Sequence, residues 1–99
     1  MTRNSDLFDN QVLPRYAEWL NSFVEDGTKP FTAHNLVKKF EGSITKKYMR
    51  LVMFSVDSGD DGGPTLVTAF FRMNYSGQWG LVYILHEFDM AVDLVWKAN

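Results

Sequence analysis

Ninety-nine residues with 45% apolar and 15% aromatic side chains make one domain that can bury its own core and argue against disorder. The chain has no cysteine, which excludes disulfides, thiol chemistry and cysteine-based zinc sites. Its net charge of −2 hides an uneven distribution. Residues 1–28 carry Arg3 and Arg15 against five acids, a net of −3. Residues 29–56 carry six basic residues against Glu41 alone, a net of +5, and residues 57–99 return to −4.

The opening residues, Met1-Thr-Arg-Asn-Ser-Asp, lack the apolar core of a signal peptide, and residues 1–8 are expected to fray, with Leu7 and Phe8 able to tuck onto the domain. The longest apolar runs, such as Leu81–Leu85, are far too short to span a membrane, so the expected location is cytoplasmic. The first helix is predicted from Tyr16, Trp19, Leu20, Phe23 and Val24, which share one helical face. Pro14 suits its first turn and Gly27 its stop. Lys29-Pro-Phe31 reads as an extended connector, and Thr32 as the N-cap of a second helix over Ala33–Glu41. Phe31 and Leu36 stand at staple positions, Leu36, Val37 and Phe40 form the buried stripe, and Gly42 ends that helix.

Ile44–Gly59 supports two assignments. Helical spacing groups Ile44, Tyr48, Leu51, Val52 and Ser55, leaving Lys46, Lys47 and Arg50 largely on another side. Strand spacing sets Tyr48, Val52, Phe54 and Val56 against Met49, Leu51 and Met53. The setting after a capped helix tilts the segment toward a third helix. Asp57–Pro64 is a Gly- and Asp-rich loop. Thr65–Met73 and Gln78–Leu85 read as a hairpin around Asn74–Gly77. Phe88, Ala91, Val92, Val95 and Trp96 predict a closing helix over Glu87–Lys97, although Met90, Val92, Leu94 and Trp96 also alternate as a strand.

The order of helix, connector, capped helix, Gly turn, helix and hairpin resembles the winged-helix superfamily. The resemblance lies in Gly27–Gly59, GTKPFTAHNLVKKFEGSITKKYMRLVMFSVDSG, with Thr65–Leu85 as the wing. It implies an α+β fold with a three-helix core, a wing hairpin and a C-terminal helix. The alternative fold is two helices packed on a three- or four-stranded antiparallel meander. The resemblance also implies a small DNA-binding regulator that contacts duplex DNA through residues 38–50. Lys38, Lys39, Ser43, Thr45, Lys46, Lys47 and Arg50 would supply phosphate and base-edge contacts. The plain alternative for these residues is a solvated basic surface.

A rival reading is a protein-interaction module or inhibitor, acidic and aromatic-rich, with Tyr75, Trp79 and Trp96 at its interface and no nucleic-acid role. Core packing is the simpler role for strand aromatics. A homodimer is expected if DNA recognition is specific, with Phe88, Val92, Val95 and Trp96 of the closing helix as one candidate contact. Asp57, Asp60 and Asp61 lack the spacing of a calcium loop, and His34 and His86 have no partner at a recognisable spacing. With no phosphate loop, nucleophile elbow or paired-carboxylate motif either, no catalytic residue, metal or cofactor is expected.

Overall fold

The computed structural model describes residues 2–25, 31–32, 36–57 and 65–99. Five strands form one antiparallel sheet in the order of the chain, β1 (Val37–Lys46), β2 (Met49–Asp57), β3 (Thr65–Met73), β4 (Trp79–Phe88) and β5 (Ala91–Lys97). A single N-terminal helical rod lies against one face of it. The rod begins as α1 (Asn4–Leu7), passes through one π-helical turn (Phe8–Val12) and continues as α2 (Leu13–Asn21).

The π turn has a local cause. Pro14 has no N–H, and its ring would crowd the carbonyl of Asn10 in a regular α-helix. The Leu13 N–H reaches back five residues to the Phe8 carbonyl, and the Arg15 guanidinium donates to the Gln11 carbonyl at 2.6 Å. The extra residue rotates two stretches onto one side. Leu7, Phe8 and Val12 therefore bury together with Leu13, Tyr16 and Ala17. The helix begins at Asn4, and Leu7 and Phe8 tuck into the core.

The sheet contributes Val52, Phe54 and Val56 from β2, Val67, Ala69 and Phe71 from β3, and Leu81 and Ile84 from β4. β2 and β3 lend every second residue, as pleating requires, whereas in β4 the pairing shift against Phe70 and Phe71 separates Leu81 from Ile84 by three positions. Phe8 packs on Phe54 with ring centroids 3.9 Å apart, and Phe40 meets Phe54 edge-on at 5.6 Å. Replacing a fully buried Phe with Ala typically costs about 3–5 kcal/mol, so the Phe8–Phe54 contact is a major fastening of helix to sheet.

This sheet corrects the winged-helix assignment. Val37–Glu41, expected in a second helix, lies in β1, whereas residues 33–35 fall outside the described residues. Ile44–Lys46 completes β1, and Met49–Asp57 is β2 rather than a third helix. The closing helix over Glu87–Lys97 is the end of β4, a tight turn and β5. Its proposed contact residues are consequently divided. Val92 is exposed, whereas Val95 and Trp96 pack against the core. The alternative of two helices on a three- or four-stranded meander also falls short, since the described residues hold five strands and one helical rod. Inward alternation of Val52, Phe54 and Val56 outweighs the helix preference of the neighbouring Lys, Arg, Met and Leu.

Candidate functional site

The helical rod covers only one face of the sheet. The strand pairings place the residues of the opposite, outer face in transverse rows. The first row, at the end holding the β1–β2 and β3–β4 turns, is Lys46, Met49, Arg72 and Gly80. Next comes Ile44, Leu51, Phe70, Tyr83 and Lys97, and beside it Gly42, Met53, Thr68, Leu85 and Leu94. The fourth row is Lys39, Ser55, Leu66, Glu87 and Val92, with Asp57 beyond it.

The two middle rows are almost wholly apolar. Phe70 and Tyr83 stack with centroids 5.2 Å apart, and Leu51, Met53 and Leu85 lie half-buried around Thr68. None of these side chains packs against the core cluster. Their partial cover comes from neighbours on their own face. Toward the edges, Ile44 is 64% exposed, Val92 59%, Leu94 56% and Met49 49%. A contiguous apolar surface framed by charged residues is the usual form of a macromolecular contact.

Charge divides this face along the strands. Lys46, Arg72 and Lys97 lie toward the first row, whereas Glu87 and Asp57 lie toward the other end, where Lys39 stands near Glu41. The extra residue of β1, Glu41, accepts a hydrogen bond from the Ser55 hydroxyl at 2.7 Å. Arg72 and Glu87 form no ion pair with the described residues.

The basic residues expected to meet DNA do not share a surface. Lys38 turns toward the helix, where it pairs with Asp9 and lies 5.2 Å over the Phe8 ring. Burial lowers its pKa, and nearby Asp6 opposes that shift. Ser43 accepts a hydrogen bond from the Asn4 amide at 3.0 Å. Thr45 pairs with Arg50, which is 8% exposed and lies 5.6 Å over the Trp79 ring. Burial also lowers the pKa of Arg50, whose Nε has no hydrogen-bond partner among the described residues. Lys39 and Lys46 belong to the outer face, and Lys47 occupies the β1–β2 turn with φ 54°. Without a recognition helix, this set spreads over both faces of the edge strand β1, the β1–β2 turn and the start of β2.

The expected aromatic interface also separates. Tyr75 is fully exposed on the β3–β4 turn, which the Asn74 side chain closes by accepting from the Ser76 and Gln78 N–H groups. Trp79 and Trp96 are half-buried against the core, and the Arg15 guanidinium lies 4.5 Å over the Trp96 ring. Sequence alternation does contain the outer face, in Met49, Leu51 and Met53 and in Leu66, Thr68, Phe70 and Arg72. It does not reveal that, among the described residues, no helix covers them.

Two polar arrangements fix the opposite, helix-covered face. The Gln11 side chain donates from Nε2 to the Trp79 carbonyl at 2.9 Å and accepts the Leu81 N–H on Oε1 at 3.0 Å. It acts as a strand rung where β5 no longer reaches, since the last β4–β5 pair is Tyr83 with Lys97. Farther along, His86 lies 4.9 Å from Trp19 and 5.8 Å from Tyr16 between ring centroids. Burial lowers its pKa. Asp93 pulls the other way, with its carboxylate 3.8 Å from Nδ1, too far for a hydrogen bond.

Comparison with protein-family models, curated proteins and solved structures returned no match. No helix among the described residues is long and apolar enough to cross a membrane.

Proposed function

We propose that this chain is a protein-interaction module whose contact surface is the outer face of its sheet. The observation that carries the reading is the pair of adjacent apolar rows running across all five strands. Ile44, Leu51, Phe70 and Tyr83 lie beside Met53, Leu85 and Leu94, on the side away from the helix. Interfaces of this kind have an apolar, aromatic centre and a charged rim. Here Lys46, Arg72, Lys97, Glu87 and Asp57 supply the rim. The basic segment 38–50 offers no comparable patch, because Lys38 and Arg50 are engaged with the helix side of the sheet.

The test is photo-cross-linking in the native cell with a photoreactive amino acid in place of Phe70 or, separately, Lys47. The expected result is a discrete protein adduct from position 70. Adducts to duplex DNA from position 47, with none to protein from position 70, would sink the reading.

A further inference from the structure

We propose that the outer face is covered by a second copy of this chain, in a face-to-face pair whose two-fold axis lies in the interface and runs across the strands. This rests on the reading of the face as an interaction surface and adds its occupant.

The geometry of such a pair follows from the rows. An axis across the strands keeps each strand over its own counterpart and reverses its direction. With the axis between the two apolar rows, each lies over the other on the partner copy. Ile44 then comes over the partner's Gly42, Phe70 over the partner's Thr68, and Leu51 over the partner's Met53. Of the five pairings, Ile44 and Phe70 meet the smaller Gly42 and Thr68, and Leu51 and Tyr83 meet the apolar Met53 and Leu85. Lys97 at the edge comes over the partner's Leu94, with the sheets about 10 Å apart. One surface patch supplies both sides, as a closed two-fold dimer requires.

Charge favours the same axis. Reversal lays the basic end of one face over the acidic end of the other. Arg72 comes over the partner's Leu66, one strand spacing of about 4.8 Å aside from the partner's Glu87. Lys46 comes over the partner's Lys39, where Glu41 stands beside it to offset the like charge. A two-fold axis along the strands would instead set Lys46 and Arg72 over the same basic end of the partner. Complementary ends of this kind select orientation and suppress the wrong one.

The area suffices. Five strands about 4.8 Å apart and roughly 20 Å of strand length give about 500 Å² per copy, or about 1,000 Å² for the pair. That matches the roughly 1,000 Å² a biological interface must reach and falls short of the roughly 1,200–2,000 Å² of stable complexes, which places the pair among weak, reversible dimers.

Sedimentation equilibrium of the full chain tests the pair. At about 100 μM, enough to populate a dimer with a micromolar Kd, the expected mass is twice the 11.4 kDa of one chain. Phe70→Lys should weaken association about 100-fold, with circular dichroism reporting whether the fold is kept. Arg72→Glu or Glu87→Arg alone should weaken it about 10-fold, and the two together should restore it to within about 3-fold. The charge pair keeps the test open if Phe70→Lys does not fold.

A monomer at about 100 μM overturns the pair. So does a dimer indifferent to Phe70→Lys in a folded variant, or a charge exchange that fails to restore association. If the chain is monomeric and position 70 cross-links to a different protein, the pair fails while the interaction face stands. If position 70 gives no protein adduct and association ignores the face, both fail.

Discussion

The two faces of the sheet are built from the same alternation and end in opposite conditions. On the inner face, Val52, Phe54, Val67, Phe71 and Ile84 are covered by the helix and nearly inaccessible. On the outer face, Leu51, Met53, Phe70, Tyr83 and Leu85 have comparable apolar content but only one another for cover. Hydrophobic alternation therefore says which residues share a face. Whether that face is satisfied depends on how many helices the chain has to lay upon it. One helical rod against a two-sided apolar sheet leaves a face unmatched.

Core deletion gives the largest expected contrast. Phe54→Ala should lower the unfolding free energy by about 3–5 kcal/mol at any protein concentration, since it removes a ring wedged between Phe8 and Phe40. Phe70→Ala, measured by urea unfolding at submicromolar concentration, should lower it by about 1 kcal/mol or less. If the pair forms, the penalty for Phe70→Ala grows with concentration, because association and folding are then linked. Equal penalties for the two variants in dilute protein would break the distinction between the faces.

Gln11→Ala comes next. It deprives the Leu81 N–H and the Trp79 carbonyl of partners at one stroke, and about 1–3 kcal/mol of stability should go with them. Hydrogen exchange at Leu81 should accelerate more than exchange at Phe70. A uniform rise instead would mean that the amide does not act as a local rung.

Smaller still is a gain. The β4–β5 turn places Asp89 at φ 50° and Met90 at φ 67°, the left-handed pair that a two-residue hairpin favours. Met is poorly suited to that conformation, so Met90→Gly should stabilise the fold by about 1 kcal/mol, read as a rise in the urea midpoint.

The smallest effect is confined to mildly acid solution. His86 is held below its ordinary pKa of 6.5, chiefly by burial, so the unfolded chain binds a proton there before the folded one does. The contribution of His86 to stability is therefore complete above about pH 6.5 and falls as pH drops through the window between the folded and unfolded values. His86→Gln should flatten that part of the stability profile. An unchanged slope would remove His86 from the account.

The sequence made some of this legible and concealed the rest for identifiable reasons. The hairpin of Thr65–Met73 and its return strand stood out because Asn74-Tyr-Ser-Gly separates two alternating runs. β1 did not, because Lys38, Lys39 and Lys46 favour helix and Glu41 interrupts the pairing with an extra residue. β5 misled through a similar irregularity. The pairing shift between Ile84 and Leu85 inserts Val95, so Val92 and Leu94 face outward while Trp96 packs inward. That irregularity accommodates helical spacing and strand spacing in one short segment. The helix was found from Tyr16 and Trp19, but its buried stripe begins a full two turns earlier. The π turn at Phe8–Val12 shifts the phase that a regular helix would keep. The candidate surface was visible only as alternate residues, since nothing local announces that a covering element is missing.

The Gln11 rung also constrains the order of assembly. Its two bonds join residues 68 and 70 positions apart, among the longest sequence separations bridged by a side chain here. During synthesis the helix emerges before the sheet, with Phe8, Val12 and Tyr16 unpartnered until β2, β3 and β4 have followed. Docking of this first element must therefore come late, after much of the sheet exists to receive it. Contacts of such reach slow folding, because the intervening chain must be gathered before they form. Until the sheet is in place, the apolar residues of this segment have no surface to bury against.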